Sequence, residues 1–474
     1  MSRINTNVQA LTAQRGLAGS QKLLGDTLNR LSTGLRINRG ADDPAGLIAS
    51  EQLRSEITGI NQAISNSQRA SNVIATSEGA LSEVASLLLN IKSLVVESAN
   101  TGALSPDEIN ANQLQVESAI ESITRISNTT SFAGLKLLDG SLDYVTSGVS
   151  ASQIADVHVT QANFGTQDDI AIDVNVTASA QQAQLTFTGL ALSAPYTLDI
   201  AGNEGTDTLS FAASATVSQM ATAINTITDS TGVAADVTAS GLVFHSVGYG
   251  SKSFVSVTAQ GGQTLALTDS TGGTRTRTTG VDATATINGT VATTDGLNLK
   301  LNTTNLDVEL TLDKSFGTGQ TNFSITEGGS LFQLGPRVKA NEQVNIGIQS
   351  VAASKLGSLE TGYLTDIVGR GPANLTKEGG PAKASAIIED AIKQIAVLRG
   401  RLGAFEKNTL QTNVNNLSIT LENVTASESS IRDADFAKET SALTRARILT
   451  QAGTSVLATA NSSPQQVLSL LGGR

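Results

Sequence analysis

The stretch INTNVQALTAQRGLAGSQKLLGDTLNRLSTGL, residues 4–35, decides how the chain is read. Leu24, Leu28, Leu31 and Leu35 are spaced four, three and four. That spacing predicts one apolar stripe on an otherwise polar helix, the seam of a coiled coil. Ile4, Val8 and Leu11 open with the same rhythm. Gly16, Gly19, Ser20 and Gly25 dilute the stripe, each glycine weakening a helix by up to about 1 kcal/mol. The segment has a helix's pattern without the strength to hold one alone. It needs a partner.

Working outward, RINRGADDPAGL (residues 36–47) breaks the helix at Gly40, Pro44 and Gly46, with Asp42 or Asp43 placed to cap the next one. There the heptad is strong. Leu53, Ile60, Ile74, Leu81, Leu88 and Val95 fall on one seven-residue grid, joined by Ile57 and Ile64. A helix over about residues 45–99 would be roughly 80 Å long and has to lie against other rods. Pro106 and Asp107 start another, carrying Ile109, Val116, Ile120 and Ile123. Phe132, Gly134, Leu137 and Asp139–Gly140 predict a short hairpin after it.

Near residue 150 the period becomes two. Ile170, Ile172, Val174 and Val176 alternate with polar neighbours, as do Leu297, Leu299 and Leu301, and then Leu306, Val308, Leu310 and Leu312. Asn288–Gly289 is a strong hairpin signal. One short helix is marked by Val217, Met220, Ile224 and Ile227, and Val344, Ile346 and Ile348 supply a last strand pair. Helical heptads return from Lys383: Ile388, Ile395 and Leu402 on one row, Ala391, Leu398 and Phe405 on the other. After a small phase slip they resume at Leu410, Leu417, Val424 and Ile431. Residues 436–471 carry Leu443, Leu449, Val456 and Leu457 on a dilute helix that matches the first segment.

This order predicts an α+β protein. A long α-helical coiled coil or bundle is formed by both termini, with an antiparallel β domain inserted in the middle. The expected domains are a terminal coiled coil (1–40 plus 436–474), a helical rod with a β-hairpin (41–179 plus 330–435), and a surface-exposed β-rich insert (180–329) of one or two subdomains.

Composition narrows the function. Of 474 residues, 39 % are hydrophobic but only 3 % aromatic, so the cores are aliphatic. The absence of Cys removes disulfides, thiol catalysis and zinc–thiolate sites. A net charge of −11 without a basic patch argues against nucleic acid. The amino terminus shows no apolar signal core, and no later apolar run is expected to be able to span a membrane. His158 and His245 are the two histidines and read as ordinary surface or core residues, and no HExxH spacing is present. No catalytic, cofactor-binding or metal-binding residue is expected.

The ends resemble the bacterial flagellins. INTNVQALTAQRGL, LNRLSTGLRINRGADDPAGL and EGALSEV are similar to that family's amino-terminal pattern, and RLGAFEKN, IRDADFAKE, ILTQAGTSVLATAN and SPQQVLSLL to its carboxy-terminal one. The middle loosely resembles an insert module of flagellins and hook-associated proteins. The resemblance implies a non-enzymatic subunit of the helical flagellar filament used for swimming. It would be exported through the flagellar type III apparatus without a cleaved signal peptide, and would lie outside the cell.

The resemblance also implies roles for particular positions. Leu24, Leu28, Leu31, Leu35, Leu443, Leu449, Val456 and Leu457 would pack the terminal helices and support polymerisation as an inner tube. Leu53, Ile60, Ile74, Leu81, Leu88, Val95, Ile388, Ile395, Leu402, Leu417 and Val424 would pack the rod as an outer tube. Asn90, Leu94 and Gln115 would form a receptor-like patch. Asn90 and Gln115 stand where activating members carry charge, so Toll-like receptor signalling is expected to be weak. The implied partners are further copies of the chain, the export chaperone, the export apparatus, and the filament cap and hook-associated proteins. A hook–filament junction protein and a filament with an adhesive insert are the alternatives.

Overall fold

The computed structural model describes residues 6–165, 167–262, 264–303 and 305–471; residues 1–5, Ile4 among them, and 472–474 lie outside the described residues, as do the side chains of 464, 465 and 467–471. The chain divides into two compact units. One takes residues up to Arg69, Leu334–Val338 and the chain from Lys407; the other takes Ala70–Gln333 and Lys339–Glu406. The helices are α1 (Val8–Thr33), α2 (Pro44–Ser98), α3 (Pro106–Thr129), α4 (Val217–Thr226), α5 (Thr228–Thr231), α6 (Gly380–Phe405), α7 (Thr412–Arg432) and α8 (Phe436–Leu471).

In the first unit the loops after α1 and α7 lie side by side. The Arg36 N–H donates to Arg432 O at 2.7 Å and the Ala434 N–H to Gly34 O at 2.9 Å. The two adjacent aspartates divide their work. Asp43 Oδ1 accepts from the Gly46 N–H at 2.9 Å, as a helix cap should, whereas Asp42 accepts from Asn38 and Arg39 and closes the loop instead. Gly46 is required: a Cβ there would come within 2.7 Å of Ile37 Cδ1, and Ile37 is fully buried. Further along, Ile60, Ala63 and Leu417 form a small core with Ile64, Leu421 and Val424 packed against it. Ser67 fills the gap in the apolar grid, its buried Oγ accepting from Asn413 Nδ2 at 3.2 Å.

In the second unit α2 and α6 run antiparallel. Ser71 pairs with Glu406, Glu78 with Arg399 and Lys92 with Glu389. Their stripes meet as the heptads require: Ile74, Leu81 and Leu88 are fully buried, as are Ile388 and Leu402, with Val95 and Ile395 at 1 % exposure. α3 is started by a Ser105–Glu108 capping box, and its Asn112 Nδ2 donates to Ser98 Oγ at 3.2 Å. One expectation is corrected. Among the described residues α2 is by length and composition apolar enough to cross a membrane, with an 18-residue window of mean hydropathy 1.4. The apolar residues are concentrated there because the heptad stripe is continuous, and Leu81, Val84, Leu88 and Ile91 are wholly buried in the protein.

The β region holds two cores. In the first, a five-stranded sheet pairs Ile170–Ala178 with Gly319–Gly328 on one side and Thr284–Ile287 on the other, and Tyr144–Ser147 adds an edge. A four-stranded sheet joins Ile154–Ala162 to Leu306–Leu312, which pairs with Asn298–Asn302. Their inward residues, among them Ile172, Val174, Leu299, Val308 and Ile325, form one aliphatic core. The expected boundary at 179/180 therefore falls inside a paired sheet, because residues 144–178 find their hydrogen-bonding partners beyond residue 284. The second core, around Phe244, Leu198, Val255 and the α4 residues Met220 and Ile224, is built wholly from residues between 183 and 267. It is nested in the first domain, its two ends joined where Gln181 and Val281 exchange backbone hydrogen bonds at 2.8 and 3.0 Å. The Asn288–Gly289 turn is the expected hairpin, both residues at positive φ.

Candidate assembly surface

The terminal helices α1 and α8 are antiparallel and define the surface. Asn7 caps α1, its Oδ1 accepting from the Ala10 N–H at 3.0 Å, and its Nδ2 donates to Ala460 O at 2.7 Å. At the other end Gly34, left-handed at φ 72°, closes the helix onto Arg30 O. Arg30 Nη1 lies 3.4 Å from Glu439 Oε1, a carboxylate whose side chain is 10 % exposed.

The faces that meet mix leucines with small residues. On α1 the less exposed positions include Ala10, Ala13, Leu17, Ser20, Leu24, Thr27 and Leu31, with Arg30 beside them. On α8 they include Glu439, Leu443, Ala446, Thr450, Gly453, Leu457 and Ala460, with Ala442 and Ser462 beside them. The two main rows alternate steps of three and four, as a two-helix seam requires. Gly453 sets the closeness: a Cβ there would lie 3.6 Å from Leu17 Cα.

This sorts the expected stripe. Leu24, Leu31, Leu443 and Leu457 are half-buried in the seam, but Leu28 is 46 % exposed, Leu449 44 % and Val456 57 %. Leu35 lies past the helix end, bridged to Asp433. Reading the stripe by hydrophobicity alone misplaces part of the contact, because the close approach brings alanine, glycine and threonine into the seam beside four of the expected leucines and leaves Leu28, Leu449 and Val456 outside. Val8, Leu11, Leu23, Phe436 and Ile448 are outside as well. A groove of about 670 Å³ opens between the helices near Val8, Thr12, Val456 and Thr459, with no charged residue in its lining.

Among the other expected positions, Leu53 is half-buried and Val424 packs on the Ile60–Leu417 core. Asn90 and Gln115 are exposed, whereas Leu94 is buried at 9 %.

The sequence matches two family models, the bacterial flagellin N-terminal helical region over residues 4–143 and the bacterial flagellin C-terminal helical region over 385–471. A flagellin of Salmonella typhimurium is 31 % identical, with 99 % of each chain covered. The chain belongs to the bacterial flagellin family. It is a structural subunit of the flagellar filament and serves motility; flagellins are structural proteins and not enzymes. Flagellin D of Vibrio cholerae is 29 % identical, again over 99 % of both chains. Among solved structures, flagellar hook-associated protein-3 of Legionella pneumophila aligns with 80 % of this chain and 98 % of its own at 12 % identity, with a TM-score of 0.31.

Proposed function

We propose that the α1–α8 pair is the part of this flagellin that holds neighbouring subunits together, as the inner tube of the filament. The observation that carries the reading is the exposure of Val8, Leu11, Leu23 and Leu28 on α1 together with Ile448, Leu449 and Val456 on α8. Each of these large apolar side chains is left in water in the monomer, and burying one is worth about 1.5–3 kcal/mol. The rod helices with Leu53, Ile60, Ile74, Leu81, Leu88, Val95, Ile388, Ile395, Leu402, Leu417 and Val424 would form the outer tube, and the β region would project from it. Contact surfaces of this kind must be heterologous, since a filament closes on no symmetry axis.

The same reading includes export as an unfolded chain by the flagellar type III apparatus, with the carboxy-terminal helix held meanwhile by the export chaperone, and an extracellular location. At the filament ends the partners would be the cap and hook-associated proteins. Contact with a Toll-like receptor would be weak, because Asn90 and Gln115 are uncharged.

Substituting Leu28 and Val456 together by Gln tests the core of the proposal. The variant monomer should keep its circular dichroism and melting profile, since both side chains are exposed, yet form no filaments by electron microscopy after seeding. Normal filaments from that variant would remove α1 and α8 from the assembly contact.

A further inference from the structure

The first β domain meets the returning chain through charge. Its four-stranded sheet turns Asp156, His158, Asp307 and Glu309 outward, and the segment 347–355 starts beside it and then passes Leu138 and Thr124. The Gly347 N–H donates to Thr160 O at 3.0 Å and the Ile348 N–H to Leu142 O at 3.0 Å. Beside these backbone bonds, His158 Nε2 lies 2.9 Å from Asp156 Oδ2, and His158 Nδ1 lies 3.0 Å from Gln349 Nε2. We propose that His158 is a proton-controlled fastener between this sheet and the segment 347–355, tightening the joint when it carries charge.

The groups facing the imidazole come from every neighbouring element. Asp156 is on its own strand, Glu309 is its register partner on the next strand, and Asp143 lies on the entering chain. Lys355 and Arg401 act on Asp143, Lys355 acts also on Asp156, and Lys300 lies 3.8 Å from Glu309 Oε2 and acts on Asp307. The Arg401 guanidinium has its Nε and Nη2 buried without a hydrogen-bond partner, and Asp307 Oδ1 is likewise buried without one. Four carboxylates thus face three permanent cations, and a charged His158 supplies a fourth.

The hydrogen bond and charge of Asp156 hold the imidazole above its ordinary value. Burial pushes the Asp143 and Asp307 carboxyls up as well. These three shifts share a sign, while the Asp156 carboxyl is held below its ordinary value despite burial, chiefly by its hydrogen bond with His158. Through the imidazole range the joint is therefore firmest at mildly acidic pH and loosens as pH rises through the imidazole's folded value. The half-exposed ring exchanges protons freely with solvent. Gln349 permits both states. The neutral ring accepts at Nδ1 from the amide nitrogen; after protonation an amide flip presents the oxygen to the new Nδ1–H, and this charge-assisted bond is the stronger of the two.

The test is hydrogen exchange on the full-length monomer at about pH 5.5 and about pH 8.5, either side of the imidazole range, corrected for intrinsic rates. Protection at Gly347 and Ile348 should be several-fold greater at the lower pH. His158→Gln should abolish that difference while leaving protection around Phe244, in the other β core, unchanged. Asp156→Asn should keep the difference and move its midpoint to lower pH, which also serves if the first variant fails to fold. A pH difference that survives His158→Gln, a midpoint unmoved by Asp156→Asn, or no difference in the wild type would overturn the proposal.

Discussion

Gly453 of α8 lies directly against Leu17 of α1: a Cβ built on the glycine would sit 3.2 Å from Leu17 Cδ1 and 3.6 Å from its Cα. The two helices are therefore in near backbone contact. By contrast, a Cβ on Gly16, Gly19 or Gly25 would meet nothing within 4 Å.

That difference gives opposite outcomes for the same kind of change. Gly453→Val should force the helices apart and cost about 1–3 kcal/mol, as overpacking does. Gly16→Ala or Gly19→Ala in the monomer should stabilise α1 by about 0.5–1 kcal/mol through helix propensity alone. Amide exchange in α1 and α8 of each monomer reads the two signs. Equal effects at both sites would contradict the seam.

The nested β core should be removable. Deleting residues 182–280 and linking Gln181 to Val281 by a short Gly–Ser turn replaces an existing antiparallel bridge with a hairpin and costs little in loop closure. The shortened chain should fold and polymerise. Deleting 180–329 instead strips Ile170–Ala178 of both neighbouring strands, and proteolysis of residues 144–179 should follow. Limited proteinase K digestion, which needs no Lys or Arg in residues 144–179, separates the outcomes of the two variants.

Tyr144 is buried, and its hydroxyl accepts from the Ala162 N–H at 2.8 Å. Burial holds the phenol protonated well above its ordinary value. Tyr144→Phe leaves that buried amide without a partner, at a cost of about 1–3 kcal/mol in urea unfolding. A loss near zero would mean that another acceptor, such as water, reaches the amide.

Strong acid should release the turn at Asp269. Its Oδ1 accepts from the Thr271 hydroxyl at 2.6 Å and from the Thr271 and Gly273 amides at 2.9 Å. The Thr271 hydroxyl bond and these amides hold the carboxyl below its ordinary 3.8. A depressed carboxylate stabilises the fold above the unfolded value and loses that contribution as pH falls through the folded one. The stability gap between wild type and Asp269→Asn should be flat from neutral pH to about pH 4 and then shrink. Melting curves across that range check it; a gap that widens below pH 4 would reverse the sign.

Much of the fold was legible as period. The heptads at Ile74, Leu81 and Leu88 and at Ile388, Ile395 and Leu402 name buried residues because a long helix shows one fixed stripe to its neighbour. Even the phase slip was written in the chain. From Leu402 to Leu410 the step is eight residues where seven would keep the row, and the extra residue is taken up by a π-helical turn at Glu406–Gln411. Alternation named the inward residues of Ile170–Ala178 equally well, since a strand's side chains have only two directions.

Pairing was decided by tertiary structure. Nothing local in Ile170–Ala178 says that its neighbours are Thr284–Ile287 and Gly319–Gly328, more than a hundred residues away, so the division at 180 cut through a sheet. Nor does the spacing of Leu24, Leu28 and Leu31 say which residues meet α8. Hydrophobicity ranks positions by their cost in water, whereas the seam is chosen by how closely two backbones can approach, and that is a property of both helices together. Ala13, Thr27, Ala446 and Gly453 therefore face inward, and Leu28 and Val456 are left on the outside.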